Sequence, residues 1–135
     1  MQTLKMRGKV YLMGAGTGDP DLLPVKAVRV LRSAEVVLHD DAVSPEILEL
    51  VPASAQVRNV HKLGVLEGHL QEKIDLLLIS AAREGHEVVR LKADYPLSSA
   101  QLNEETEALA QAGVDFEVIP GAASAVGAAA GATSR

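Results

Sequence analysis

The chain has 135 residues and a formal net charge of -5, which is enough for one domain with a real core and too little for two ordinary ones. Aromatic residues make up only 2% of it and hydrophobic residues 47%, so Val, Leu, Ile and Ala must build the core, and neither the charge nor the composition suits a nucleic acid. Cysteine is absent, which excludes disulfides, thiolate metal sites and a cysteine nucleophile; with no apolar leader ahead of Arg7 and no run near ~18 apolar residues, the expectation is a cytoplasmic protein without a membrane partner.

Val10 to Met13 is a short, apolar, β-favouring run that feeds Gly14-Ala15-Gly16-Thr17-Gly18-Asp19-Pro20-Asp21. A strand entering a glycine-rich turn is where α/β proteins place ligands, because glycine lets the backbone turn and come close. Leu22 to Leu31 then sets Leu23, Ala27, Val30 and Leu31 on one helical face. Val36 to Leu38 predicts a second strand, ended by His39-Asp40-Asp41. Ser44-Pro45-Glu46 follows as N-cap, first-position proline and acidic first turn of a short helix to Val51.

Gln56 to Val60 is partly polar and predicts a strand at a sheet edge, and Leu66 to Arg83 carries Leu70, Ile74, Leu77, Leu78 and Ala81 at helical spacing before Gly85. His86 to Leu91 is a fourth strand, Glu104 to Ala112 a helix stopped by Gly113, and Asp115 to Ile119 a fifth strand. Pro120-Gly121 opens an Ala/Gly-rich stretch to Arg135 whose apolar surface predicts association. Parallel neighbours need crossovers, and these look helical. The fold class is therefore α/β, a five-stranded mostly parallel sheet with helices on both faces, in a single domain over 1–135.

The glycine turn is not a dinucleotide fingerprint: Asp19 stands at the third glycine, and a carboxylate followed by Pro20 repels phosphate and removes a donor, even though Asp40 sits where a ribose-binding acid would. No Walker pattern follows either. The histidines, His39, His61, His69 and His86, form no i, i+4 pair, so no metal site is expected. Asp40 reads equally as a ligand-facing acid at a strand end and as part of an acidic turn; Asp41 reads as solvated. Asp94 and Tyr95, after the fourth strand, share a crevice with the glycine loop only if the first and fourth strands are neighbours. Glu104 and Glu105 read as first-turn acids that meet the helix dipole, and Ser124 as a cap or a presenter of backbone amides.

In order along the chain, Val10–Leu23, Ala34–Asp40, Val43–Leu48, Val88–Lys92, Glu104-Glu105 and Val118–Gly121 resemble the motifs of the tetrapyrrole methylases, in particular the branch that methylates uroporphyrinogen III. The resemblance implies transfer of a methyl group from S-adenosyl-L-methionine to a carbon of uroporphyrinogen III or a related tetrapyrrole, on the way to sirohaem and cobalamin. It also implies a cleft between an N-terminal α/β domain, which this chain matches, and a C-terminal domain that the chain lacks, commonly in a homodimer.

Carried over residue by residue, the resemblance implies cofactor contacts at Thr17, Ala93, Asp94, Tyr95, Pro96, Ala123 and Ser124, and substrate contacts at Gly16, Gly18, Asp19 and Pro20. It implies catalytic roles for Asp40, Gln101 and Glu104, and pairing of the substrate's carboxylates with Lys62, Arg90 and Lys92. Several positions depart from the family pattern. Thr17 replaces a proline, Asp41 an arginine, Gln101 an arginine and Ala123 a threonine, and Ala93-Asp94-Tyr95 stands for Gly-Gly-Asp in the cofactor loop. Added Cβ atoms and a phenol crowd a loop built for close backbone approach. The alternative expectation is a non-catalytic binding or dimerisation module of the same descent.

Overall fold

The computed structural model describes residues 8–15, 18–93 and 100–119. Five strands, β1 (Lys9–Gly14), β2 (Val36–His39), β3 (Gln56–Asn59), β4 (Glu87–Lys92) and β5 (Asp115–Ile119), alternate with helices α1 (Val25–Arg32), α2 (Pro45–Leu48), α3 (Leu70–Arg83) and α4 (Ala100–Gln111). The strands form one sheet in the order β3-β2-β4-β1-β5, with every pairing parallel. The expected adjacency of the first and fourth strands is present, in the register Leu12↔Arg90 and Gly14↔Lys92. β3 is the expected polar edge: Gln56, Val57 and Arg58 are exposed.

Alternate residues of each strand point to opposite faces, which divides the core in two. Met13, Val37, Val89, Leu91 and Ile119 pack with Ala27 and Leu31 of α1 and Ile47 of α2. On the other face Val10, Leu12, Leu38 and Val88 pack with Ile74, Leu78 and Ala82 of α3 and with Leu102 and Leu109 of α4. The sheet is thus covered on both sides by aliphatic side chains, as the scarcity of aromatics requires.

Helix starts differ from the periodicity. α1 begins at Val25, not Leu22, because Asp19 and Pro20 start a separate 3-10 turn, Pro20–Leu22, in which the Asp19 carboxylate accepts from the Asp21 N–H at 3.0 Å; Pro24 then occupies the N-cap of α1. Leu23 still reaches the core. α3 begins at Leu70 after a 3-10 turn over Glu67–His69 and ends at Arg83, with Gly85 just past its C-cap at a φ of +96° that suits glycine. α4 begins at Ala100, four residues before Glu104. Glu104 and Glu105 therefore lie beyond the first turn, and the helix dipole does not account for them. The Ala/Gly-rich stretch after Pro120 lies outside the described residues.

Candidate active site

α1 leaves β1 towards one face of the sheet and α4 leaves β4 towards the other, and these two strands are neighbours. A crevice outside the C-terminal ends of such a strand pair is the general ligand position in open α/β sheets. Here the backbone holds the two exits together: the Ala15 N–H donates to the Lys92 carbonyl at 2.6 Å, and the Asp40 N–H to the Leu91 carbonyl at 3.3 Å. Gly14, Ala15, Asp40, Lys92 and Ala93 thus share one rim.

At this rim the charged groups converge on Asp40. Arg90 Nη1 reaches Asp40 Oδ1 at 3.0 Å, Lys92 Nζ reaches Oδ2 at 3.1 Å, and Arg90 Nη1 also lies 3.5 Å from the Leu38 carbonyl. Arg90 is 1% exposed. Its Nε donates to Glu105 Oε2 at 3.3 Å, and Gln71 Nε2 donates to the same oxygen at 3.0 Å and to Asp75 Oδ1 at 2.9 Å. Glu105 is fully buried, and among the described residues its Oε1 has no hydrogen-bond partner. A pocket of about 210 Å³ opens beside this group, lined by Asp40, His61, Gln71, Ile74, Arg90 and Lys92 among others.

Burial raises the Asp40 carboxyl, but Arg90 and Lys92 outweigh it and hold Asp40 below the usual carboxylate range. Burial dominates at Glu105 and raises it despite the opposing pull of Arg90 and Gln71; Asp75, also desolvated, is raised too. Asp40 is accordingly an anion at neutral pH. Arg90 is not available to a substrate carboxylate, contrary to the expectation for it, because two carboxylates and a carbonyl already occupy its buried guanidinium. Lys62 is exposed on the 3-10 turn after β3, and Lys92 shares Asp40.

The structure brings Asp40 to the rim but places Glu104 elsewhere, on a groove between α3 and α4 lined by Glu72, Asp75 and Glu107. Glu105 is the acid that joins the Asp40 group. The missed signal was Arg90 itself: a charge inside Val88-Val89-Arg90-Leu91, a run reading as a central strand, has to be paired when buried. Asp41 is exposed and accepts from Asn59 Nδ2 at 2.6 Å, in keeping with a solvated turn.

Gly18 has φ +93°, and a Cβ built there would stand 3.2 Å from Ser44 Cβ. Ser44 Oγ donates to the Gly18 carbonyl at 2.9 Å and accepts from the Ile47 N–H at 3.3 Å, so one hydroxyl caps α2 and anchors the glycine loop. Asp19 is exposed, with its carboxylate turned onto its own 3-10 turn, and Pro20 opens that turn. Ala93 lies at the rim just past β4. Gly16, Thr17, Asp94, Tyr95, Pro96, Ala123 and Ser124 lie outside the described residues; Gln101 is in the first turn of α4, with its side chain likewise outside the description. A larger cavity, about 330 Å³, sits at the other end of the sheet around Gly8, Arg83 and Asp115. Among the described residues it gathers no comparable set of reactive groups, and Arg83 donates there to the Ala112 carbonyl.

Residues 9–134 match the family model of the tetrapyrrole (corrin/porphyrin) methylases. The chain belongs to the tetrapyrrole methylases. A siroheme synthase of Hahella chejuensis is 46% identical over 127 residues, 94% of this chain and 27% of that protein. The crystal structure of uroporphyrin-III-C-methyltransferase from Thermus thermophilus superposes with a TM-score of 0.75 at 48% identity, covering 93% of this chain and 53% of that one. A second structure of the Thermus thermophilus enzyme, in complex with S-adenosyl homocysteine, gives a TM-score of 0.70 at 42% identity over 84% of this chain and 48% of that one. This tetrapyrrole methylase chain therefore spans about a quarter to a half of the relatives that it matches.

Proposed function

We propose that this chain is the N-terminal α/β domain of an S-adenosyl-L-methionine-dependent C-methyltransferase acting on uroporphyrinogen III or a related tetrapyrrole, with the rest of the cleft supplied by a C-terminal domain or a second subunit of a homodimer. The observation that carries the reading is the Asp40 carboxylate, held between Arg90 and Lys92 at the strand ends of a tetrapyrrole methylase sheet. When bound, the cofactor supplies an electrophilic methyl group on a sulfonium. The described rim suits such a ligand: Gly14, Ala15 and Ala93 are small, and the Asp40 carboxylate is an anion that a sulfonium tolerates.

In this reading Ala93, Asp94, Tyr95 and Pro96, with Thr17, Ala123 and Ser124, hold the cofactor. Gly16, Gly18, Asp19 and Pro20 line the substrate side, and Asp40 acts on the reacting ring, with Gln101 at the head of α4. Alignment of the two reactants and exclusion of water are the main demands of methyl transfer. The replacement of Gly-Gly-Asp by Ala93-Asp94-Tyr95 favours a second reading, a binding or dimerisation module that no longer turns over.

Calorimetric titration with S-adenosylhomocysteine, paired with a methylation assay on uroporphyrinogen III, separates the two. Micromolar binding with turnover is expected of the enzyme. If neither ligand binds, even after Ala93→Gly, Asp94→Gly and Tyr95→Asp restore the family loop, the enzyme reading is to be abandoned.

A further inference from the structure

Arg90 and Glu105 are among the largest fully buried side chains of the described residues. Fold stability does not call for them, since replacing a buried ion pair by apolar groups of similar volume is often neutral or stabilising. Their connections lead in one direction. Gln71 on α3 and Arg90 on β4 hold Glu105, Glu105 Oε2 holds Arg90 Nε, and Arg90 Nη1 holds Asp40 Oδ1 at the pocket.

We propose that Arg90 is a positioning residue, itself fixed by Glu105 and Gln71, that presents Asp40 to a tetrapyrrole as a rigid, ionised acceptor. The proposal rests on the methyltransferase reading and deepens it. Each Asp40 oxygen gives one lone pair to a cation, Oδ1 to Arg90 and Oδ2 to Lys92, and keeps another for a donor. A pyrrole N–H is such a donor. Methylation of a neutral pyrrole carbon forms a C–C bond and breaks the S–CH3 bond; the positive charge moves from sulfur to the ring, which returns to neutrality by giving a proton to water. A carboxylate already in place where that cation develops lowers the barrier without reorganising.

The titratable and charged groups around the pair are Lys92 from β4, His61 from the turn after β3, Glu105 from α4 and Asp75 from α3. In the full-length protein that contains this chain, Glu105→Gln keeps the shape and removes the charge that holds Arg90; Arg90→Met removes the guanidinium, and Arg90→Lys keeps the charge without the fork. Expected are losses of about 10- to 100-fold in kcat for Arg90→Met, a smaller loss for Glu105→Gln and partial rescue by Arg90→Lys. S-adenosylhomocysteine affinity should be unchanged.

Carbon-13 NMR of labelled Asp40 supplies a readout that needs no turnover. Its carboxyl should titrate at higher pH in Arg90→Met than in the parent, because the cation that holds it low is gone, and should shift when uroporphyrin III is added to the parent. An Asp40 signal indifferent to both overturns the proposal, as does a Glu105→Gln protein that loses stability while its kcat stays put. Failure of the methyltransferase reading is visible separately, as a parent protein that neither binds S-adenosylhomocysteine nor methylates.

Discussion

Two carboxylates in this molecule each stand between two cations, and they teach different things. Asp40 lies between Arg90 and Lys92 at the C-terminal end of the sheet; Glu117 of β5 lies between Lys9 of β1, at 3.0 Å, and Lys26 of α1. Both carboxyls are held below their ordinary range. At Glu117 the hydrogen bonds from Lys26 and Lys9 are the main cause, whereas at Asp40 the nearby cations must first overcome burial. The decisive difference is the cation. Lys26 is 56% exposed and free to trade its partner for water, but Arg90 is 1% exposed and has Glu105 fixed behind it. Exposed pairs contribute about 0–1 kcal/mol, while a buried pair that loses one member costs about 3–5 kcal/mol. The same charge pattern is decoration on the edge strand β5 and architecture at the strand ends around Asp40.

The sharpest break in that comparison is Arg90→Met, which strands Glu105 in the core and should cost about 3–5 kcal/mol in urea unfolding. The double change Arg90→Met with Glu105→Leu should recover most of it, since no buried charge remains; a double variant as weak as the single would show that packing, not charge, matters here. Ser44→Ala removes the cap of α2 and the anchor of the glycine loop together. A loss of about 1–2 kcal/mol is expected, with the Ile47 amide exchanging faster by hydrogen exchange.

Acid titration should then separate the two carboxylates of the buried group. Because the folded-state pKa of Asp40 is depressed, its contribution is complete above its unfolded value of about 3.9 and vanishes as pH falls through the folded value. Glu105 has the opposite sign: its raised folded pKa makes stability decline as pH rises from about 4.3 towards that value. Asp40→Asn should flatten the acid limb of a stability–pH curve, and an unchanged limb would place the protons elsewhere. The smallest effect belongs to Lys26→Ala, about 1 kcal/mol or less, and 1 M salt should erase it.

Much of this was legible in the residues. Ser44-Pro45-Glu46 dictated its helix start by chemistry alone, and the side-chain cap is where the pattern puts it. The polar run Gln56 to Val60 announced an edge, and the neighbouring of the first and fourth strands, the condition for Asp94-Tyr95 to share a crevice with the glycine loop, is present. The site was less legible for a physical reason. Glu104 and Glu105 look alike in sequence, yet a step of 100° around a helix sends one to an acidic groove and the other to the core. The late start read for α4 hid this, because Ala100 to Asn103 offers little apolar period. A strand's inward face is likewise decided by register, so Arg90 read as a surface base rather than as the centre of the Asp40 group.

The strand order carries a consequence for how the chain comes together. β4 lies between β2 and β1, so the first two strands, made early, are joined only through β4 and stay unlinked until residue 92 has been synthesised. Closure of the middle of the sheet is a long-range event, and such pairings are slow and leave strand edges open meanwhile. On a ribosome, chains halted before Glu87 should remain protease-sensitive, and chains carried past α4 should acquire resistance in one step.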